Sequence, residues 1–176
     1  MQVVYADWTA SGRALDQVED YIRHKVLPLY ANTHTETSIT GSFTTALREQ
    51  SRESIAKATH CSAADVVMFT GNGSTAAIND FVKLIEVEKK CLQHAASVKR
   101  SDGECDKCDL PLVLISSYEH HSNILPWREC GAEVLDVPES ALTGAVDLAA
   151  LESLLGQHRH RSTIIGSFSA GSNVTG

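Results

Sequence analysis

The chain reads as an α/β protein built on a mostly parallel sheet, and three observations predict this. Three short strand-like segments, Leu112–Ser116, Glu133–Val137 and residues 163–168, alternate with segments whose apolar residues recur at helical spacing. The order strand, helix, strand, helix, strand implies right-handed crossovers and parallel neighbours. A glycine-rich turn, Gly71-Asn72-Gly73-Ser74-Thr75, separates the apolar run 66–70 from a helical pattern over 78–85. Finally, Glu119, His120 and His121 follow the run Leu112-Val113-Leu114-Ile115 closely. They therefore sit at the carboxyl end of an expected strand, where open α/β sheets bind their ligands.

Taken in order, Val3-Val4-Tyr5 reads as a short strand. Leu15, Val18, Tyr21, Ile22 and Val26 recur at helical spacing, and Pro28 is expected to close that helix. Residues 33–42 are rich in Ser and Thr with no period and read as a loop. A polar helix is expected over 43–59, with Leu47, Ile55 and Ala58 inward. The apolar run 66–70 reads as a strand, and residues 97–109, dense in charge and cysteine, as an exposed loop. After it come strand Leu112–Ser116, helix 122–130, strand Glu133–Val137, helix 148–155 capped by Asp147, and strand 163–168. The organisation expected is an amino-terminal helical segment, 1–60, followed by an α/β domain, 61–176, with an exposed insertion at 95–109.

Composition narrows the function. The 176 residues are 43% hydrophobic and 21% charged, ordinary for a globular domain with a substantial core. A net charge of −7 and the lack of any long basic stretch argue against nucleic acid as a partner. No apolar run approaches a membrane span, and Met1-Gln2-Val3-Val4-Tyr5 does not open a signal peptide, so a cytoplasmic location is expected. Cys61, Cys91, Cys105, Cys108 and Cys130 do not suggest a secreted disulfide framework. Cys91-x2-His94 followed by Cys105-x2-Cys108 has the spacing of a four-ligand zinc site. The preferred reading is a solvated insertion with incidental cysteines, and no metal site is assigned.

Two motifs carry chemistry. A glycine-rich turn at a helix start exposes backbone N–H groups at the helix's positive end, which suits a phosphate; Gly73, Ser74 and Thr75 are the candidates. Ser74 and Thr75 can equally serve as caps, a role that needs no ligand. Gly71-x-Gly73-x-x-Ala76 also matches a dinucleotide-binding fingerprint, but the acidic residue expected after a second strand is missing, and Glu86 and Glu88 fall within the expected helix. His120 can offer a flat ring to a planar cofactor or trade a proton near neutral pH. The plainer alternative is a helix start carrying two incidental histidines.

Together these segments resemble the class V aminotransferase family of pyridoxal-phosphate enzymes, and within it the cysteine desulfurases and selenocysteine lyases. Tyr5-Ala6-Asp7-Trp8-Thr9-Ala10-Ser11 looks like the family's opening strand, and Tyr30-Ala31-Asn32-Thr33-His34 like its "Tyr-Gly-Asn-Pro/His" turn. Gly73-Ser74-Thr75-Ala76-Ala77-Ile78-Asn79 is similar to its phosphate turn. Glu119-His120-His121-Ser122-Asn123-Ile124-Leu125-Pro126-Trp127 is close to "Glu-His-His-x-Asn-x-x-Pro-Trp", and Ser172-Asn173-Val174-Thr175-Gly176 resembles "Ser-Asn-x-x-Gly". The histidine motif is the specific match.

The resemblance implies a three-layer sandwich, the large domain of a fold type I pyridoxal-phosphate transferase, incomplete on this chain. It implies pyridoxal 5'-phosphate as cofactor and a small amino acid as substrate. Gly73, Ser74 and Thr75 would hold the phosphate, His120 would stack on the ring and take part in proton transfer, and Asn173 would donate to the phenolic oxygen. Asn32 and His34 would lie near the substrate. His121 receives no role, and Trp127 is assigned to packing. The family's Schiff-base lysine and the aspartate on the pyridine nitrogen follow the Ser-Asn-x-x-Gly element, whereas Lys25, Lys57, Lys83, Lys89, Lys90, Lys99 and Lys107 all precede it. The chain thus resembles the amino-terminal portion of an enzyme whose full-length form is a homodimer, inactive by itself. A dinucleotide-binding domain and a non-catalytic fragment or pseudoenzyme are the alternatives.

Overall fold

Strand β1, Leu112–Ser116, has all five residues buried, and the architecture of the carboxyl-terminal part follows from that. An all-apolar run can bury both faces only as a central strand with helices above and below. In the computed structural model, which describes residues 3–35, 37–98 and 110–176, β1 lies between β2, Glu133–Val137, and β3, Ile164–Ser167, both parallel to it. The register pairs Leu112 with Glu133 on one side and with Ile164 on the other.

Alternation along β1 assigns the two faces. Val113 and Ile115 enter one core with Val82, Val87, Cys91, Trp127 and Cys130. These come from helices α3, Gly73–Leu84, α4, Val87–Val98, and α5, Leu125–Glu129, with Cys130 at the end of α5. Leu112 and Leu114 enter the opposite core with Val137, against Ala150, Leu151 and Leu154 of α6, Leu148–Gln157. The result is the expected three-layer arrangement of helices, parallel sheet and helix. The chain steps from β1 to β2 past α5, then back across β1 to β3 past α6. Crossovers of one hand running in opposite directions place their helices on opposite faces, as found here. Asp147 caps α6, its Oδ1 accepting from the N–H groups of Ala149 (2.9 Å) and Ala150 (3.1 Å).

The chain divides into two units, Met1–Phe69 and Thr70–Gly176, the sheet lying in the second. In the first, α1, Asp16–Tyr21, runs on into a π-helical turn, Ile22–Val26, and a 3-10 turn, Leu27–Leu29. Pro28 therefore does not close the helical path. It occupies the start of the 3-10 turn, where its missing N–H costs nothing. Helix α2, Ile39–Ala58, begins inside the segment read as a loop, because Ser38 Oγ accepts from the Gly41 N–H at 3.1 Å. Gly41 is buried, and a Cβ there would collide with the Thr35 carbonyl oxygen. The hydroxyls of Ser42, Thr44 and Thr45 donate to carbonyls three or four residues back, so a Ser/Thr-rich sequence is accommodated in a helix. Leu47 is half-buried, but Ile55 and Ala58, expected inward, are exposed.

Two expected strands do not form. Residues 3–5 and 66–70 pair with no strand among the described residues, and Val66, Met68 and Phe69 are exposed. Strand propensity is realised only against a ladder partner. Helix α3 starts earlier than its apolar period, at Gly73, and Glu86, with φ of +55°, separates it from α4 rather than continuing a helix. Of the expected insertion at 95–109, α4 runs through Val98 and residues 99–109 lie outside the described ones. Cys91 and His94 are buried on α4, against the expectation of a solvated stretch; Cys105 and Cys108 lie outside the described residues.

Candidate active site at the carboxyl edge of the sheet

Because β1 and β3 are parallel neighbours in register, the loops that leave them emerge side by side at the carboxyl edge. The first carries Glu119, His120 and His121; the second carries Ser169 and then the Ser172–Gly176 turn. Their side chains converge on a cleft of about 560 Å³ whose lining includes Tyr118, His120, Glu139 and Asn173. His120 and Asn173, predicted separately from the sequence, are thus brought together.

His120 is exposed, and its side chain caps the 3-10 turn His121–Asn123. Its Nδ1 accepts from the Ser122 N–H at 3.2 Å and lies 2.8 Å from Ser122 Oγ. A nitrogen that accepts an N–H bond carries no proton, so the neutral ring holds its hydrogen on Nε2. The helix-start reading of the histidine pair is therefore realised, and it is compatible with a ring exposed at the cleft. His121 also lines the cleft, and the two rings meet edge to face, 6.1 Å between centroids.

Ser172, not Asn173, closes the turn after β3: its Oγ accepts from the N–H groups of Val174 (3.1 Å) and Thr175 (3.3 Å). Asn173 is half-buried at the cleft wall. Its amide can donate to an oxygen of a ligand there.

Gly73, Ser74 and Thr75 form the exposed first turn of α3 and do not line this cleft. Helix α3 packs against the His121–Asn123 turn and against α5. Gly73 has φ of +64°, which favours glycine, and a Cβ there would meet nothing within 4 Å. The glycine is required by backbone conformation, not by crowding. Neither Ser74 nor Thr75 is the cap; the N-cap residue is Asn72, which makes no side-chain cap bond. The strand that a dinucleotide fingerprint requires before its glycines is absent at 66–70. Asn32 and His34 lie in the first unit, in a turn where the Ala31 and His34 N–H groups donate to Thr44 and Thr45 Oγ1.

Glu119, which also lines the cleft, centres a polar cluster that sequence reasoning missed. Glu119 is 9% exposed and accepts four hydrogen bonds. Oε1 receives Ser116 Oγ (2.5 Å) and the Ser169 N–H (2.6 Å), and Oε2 receives Asn123 Nδ2 (2.8 Å) and Ser169 Oγ (2.5 Å). Burial pushes this carboxyl up, but the bonds from Ser116, Ser169 and Asn123 outweigh it and hold it below the ordinary glutamate value. Asn123 also donates to the Ser167 carbonyl at 3.2 Å, while its Oδ1 accepts from Ser167 Oγ (2.7 Å) and Trp127 Nε1 (3.3 Å). Trp127 is a core residue, 1% exposed, but its indole has the polar partner the sequence reading did not find. The missed signal was the spacing of Glu119, Asn123 and Trp127, four residues apart at each step.

The residues at this edge fit part of a pyridoxal-phosphate site. An exposed imidazole and a half-buried amide on one cleft suit a planar ring bearing a phenolic oxygen, and the uncapped start of α3 suits a phosphate. None of the described residues that line the cleft is a lysine. Among the described residues, no group of three or more His, Cys, Asp or Glu could hold a metal ion, and no helix is long and apolar enough to cross a membrane.

Comparison with known proteins agrees with this geometry. The family model described as "Aminotransferase class-V" matches residues 4–176. A "Probable cysteine desulfurase" of Halalkalibacterium halodurans is 31% identical over 132 residues, which is 72% of this chain and 27% of that protein. One of Vibrio cholerae is 28% identical over 157 residues, 87% of this chain and 34% of that protein. One of Streptomyces coelicolor is 28% identical over 127 residues, 72% of this chain and 27% of that protein. The chain spans about a third or less of the length of these relatives.

Proposed function

We propose, since the chain belongs to the class V aminotransferase family, that it forms the ring-side and phosphate-side part of a pyridoxal-phosphate site in a cysteine desulfurase-like enzyme. The family depends on pyridoxal phosphate and acts on amino acids. What supports the finer reading is the single cleft that His120 and Asn173 line at the carboxyl edge of the parallel sheet. When bound, the cofactor draws electrons from the α-carbon of the amino acid. His120 covers one face of the ring and excludes water from it. With Nδ1 accepting from the Ser122 N–H, the neutral His120 ring donates from Nε2–H, and it takes up a proton only when Nδ1 releases Ser122. Asn173 donates to the phenolic oxygen and favours its anionic form. Gly73, Ser74 and Thr75 offer the phosphate the N–H groups and hydroxyls of the α3 start. The covalent lysine and the sulfur-accepting nucleophile belong to other parts of the whole protein, which we read as a cytoplasmic homodimer.

Pyridoxamine phosphate tests the reading on this chain, because its amine cannot condense with surface lysines. We expect saturable one-to-one binding by calorimetry. His120→Ala should weaken it several-fold, in keeping with stacking worth about 0.5–1.5 kcal/mol, while His121→Ala leaves it near wild type. Absence of saturable binding, or equal, small effects of the two substitutions, would remove His120 from the site.

A further inference from the structure

We infer that Glu119 is a positioning residue: its carboxylate fastens the loop that carries His120 to the loop that carries Asn173, and so sets the width of the cleft between them. The inference rests on reading that cleft as the cofactor-ring site.

The geometry is specific. Glu119 is the chain neighbour of His120, and it reaches the backbone and side chain of Ser169, 50 residues away in sequence. Ser169 stands four residues before Asn173, and the chain between them turns on Ser172, which is buried and whose carbonyl accepts from the Gly176 N–H at 2.9 Å. Ser116 and Asn123 fix the same carboxylate to the end of β1 and to the turn that His120 caps. Asn123 adds its own bonds to Ser167 at the end of β3. One carboxylate therefore holds three elements.

The chemistry explains why an ionised acid is needed there. Glu119 is an acceptor on both oxygens, and each oxygen receives one N–H donor, from Ser169 or from Asn123. The two hydroxyl donors can rotate to accept instead; the Ser169 N–H cannot, and Asn123 can turn its Oδ1 toward residue 119 only by giving up the bond from Trp127 Nε1. A glutamine has the same size, but whichever way its amide is turned, its NH2 faces one of those N–H groups. Glu119→Gln thus opposes the clasp without creating a cavity.

The test is made first on the unliganded chain by NMR. Glu119→Gln should shift both the Asn173 backbone amide and the His120 ring signals, and speed hydrogen exchange at the Ser169 amide. Asp147→Ala, which removes the α6 cap, is the control for stability lost elsewhere and should leave both signals in place. Ser169→Ala removes one arm of the clasp and should move the same signals less. If Glu119→Gln does not fold, Ser169→Ala decides. An Asn173 amide or His120 ring unmoved by the folded variant overturns the inference, as does an equal response to Asp147→Ala. Pyridoxamine phosphate is then titrated, and Glu119→Gln should raise its Kd by about tenfold or more, the scale of a lost charge-assisted bond. If wild type does not bind the probe, the cofactor reading falls and the NMR coupling alone decides the positioning role. If wild type binds and His120→Ala weakens it but Glu119→Gln does not, the positioning role falls and the cofactor reading stands.

Discussion

At Glu119 a buried carboxylate is held ionised by four donors that are all neutral, from Ser116, Asn123 and Ser169. The pH dependence follows from the direction of its shift. The folded-state pKa lies below the unfolded one, so the folded state binds this proton less tightly. The stabilisation is fully present above the ordinary glutamate value, about 4.3, and is lost as pH falls through the depressed folded value. We expect the stability gap between wild type and Glu119→Gln, measured by urea unfolding, to be widest at neutral pH and to narrow below pH ~4. A gap independent of pH would show that the carboxylate's charge contributes nothing. At this scale the sequence singled out His120 and Asn173, which the fold brings to one cleft, but not the contacts that support them. Glu119, a motif member with no role assigned, gains its role from Ser169, a partner that no local pattern identifies.

At the scale of the element, cap chemistry was legible and pairing was not. Asp147 was read as the cap of α6 and is one, accepting from Ala149 and Ala150. Asp147→Ala should cost about 1 kcal/mol, read as a lower urea midpoint with an unchanged slope; an unaltered midpoint would mean that water replaces the cap without loss. Strands β1 and β2 were read with their observed bounds because each is a short run of aliphatic residues between turn or helical segments, continuous in β1 and interrupted by Asp136 in β2. Residues 66–70 look the same in sequence and form no strand, because the apolar character of a run does not say whether a neighbour will pair with it. The start of α2 was hidden for the opposite reason. Its serines and threonines are loop-like in composition, and only their bonds to carbonyls one turn back make them helical.

Across the whole molecule, the sheet has the order β2-β1-β3, so two of its three strands are edges among the described residues. β3 places half-buried Ile164 and Ile165 on one of these edges, next to exposed Phe168. A parallel edge without a neighbour offers unpaired N–H and C=O groups beside apolar side chains. We expect the isolated chain to self-associate with concentration, measured by light scattering after size exclusion, and its amides over 163–168 to exchange quickly in the monomer. A strictly monomeric sample with a cooperative thermal transition and slow exchange across 163–168 would contradict this.

The sequence by itself determined the alternation of strands and helices, the glycine turn, the Glu-His-His motif and, through them, the family. All of these are local: a period, a turn residue or a short spacing reports the geometry of its own segment. The tertiary structure decided which segments meet. The register of β1 with β3 sets the His120 loop beside the Asn173 loop, buries Glu119, Asn123 and Trp127 as one hydrogen-bonded group, and leaves residues 66–70 without a ladder. The physical reason is that a buried polar side chain is stable only with its partners in place, and two of those partners, Ser167 and Ser169, lie dozens of residues away, where the pairing of strands brings them.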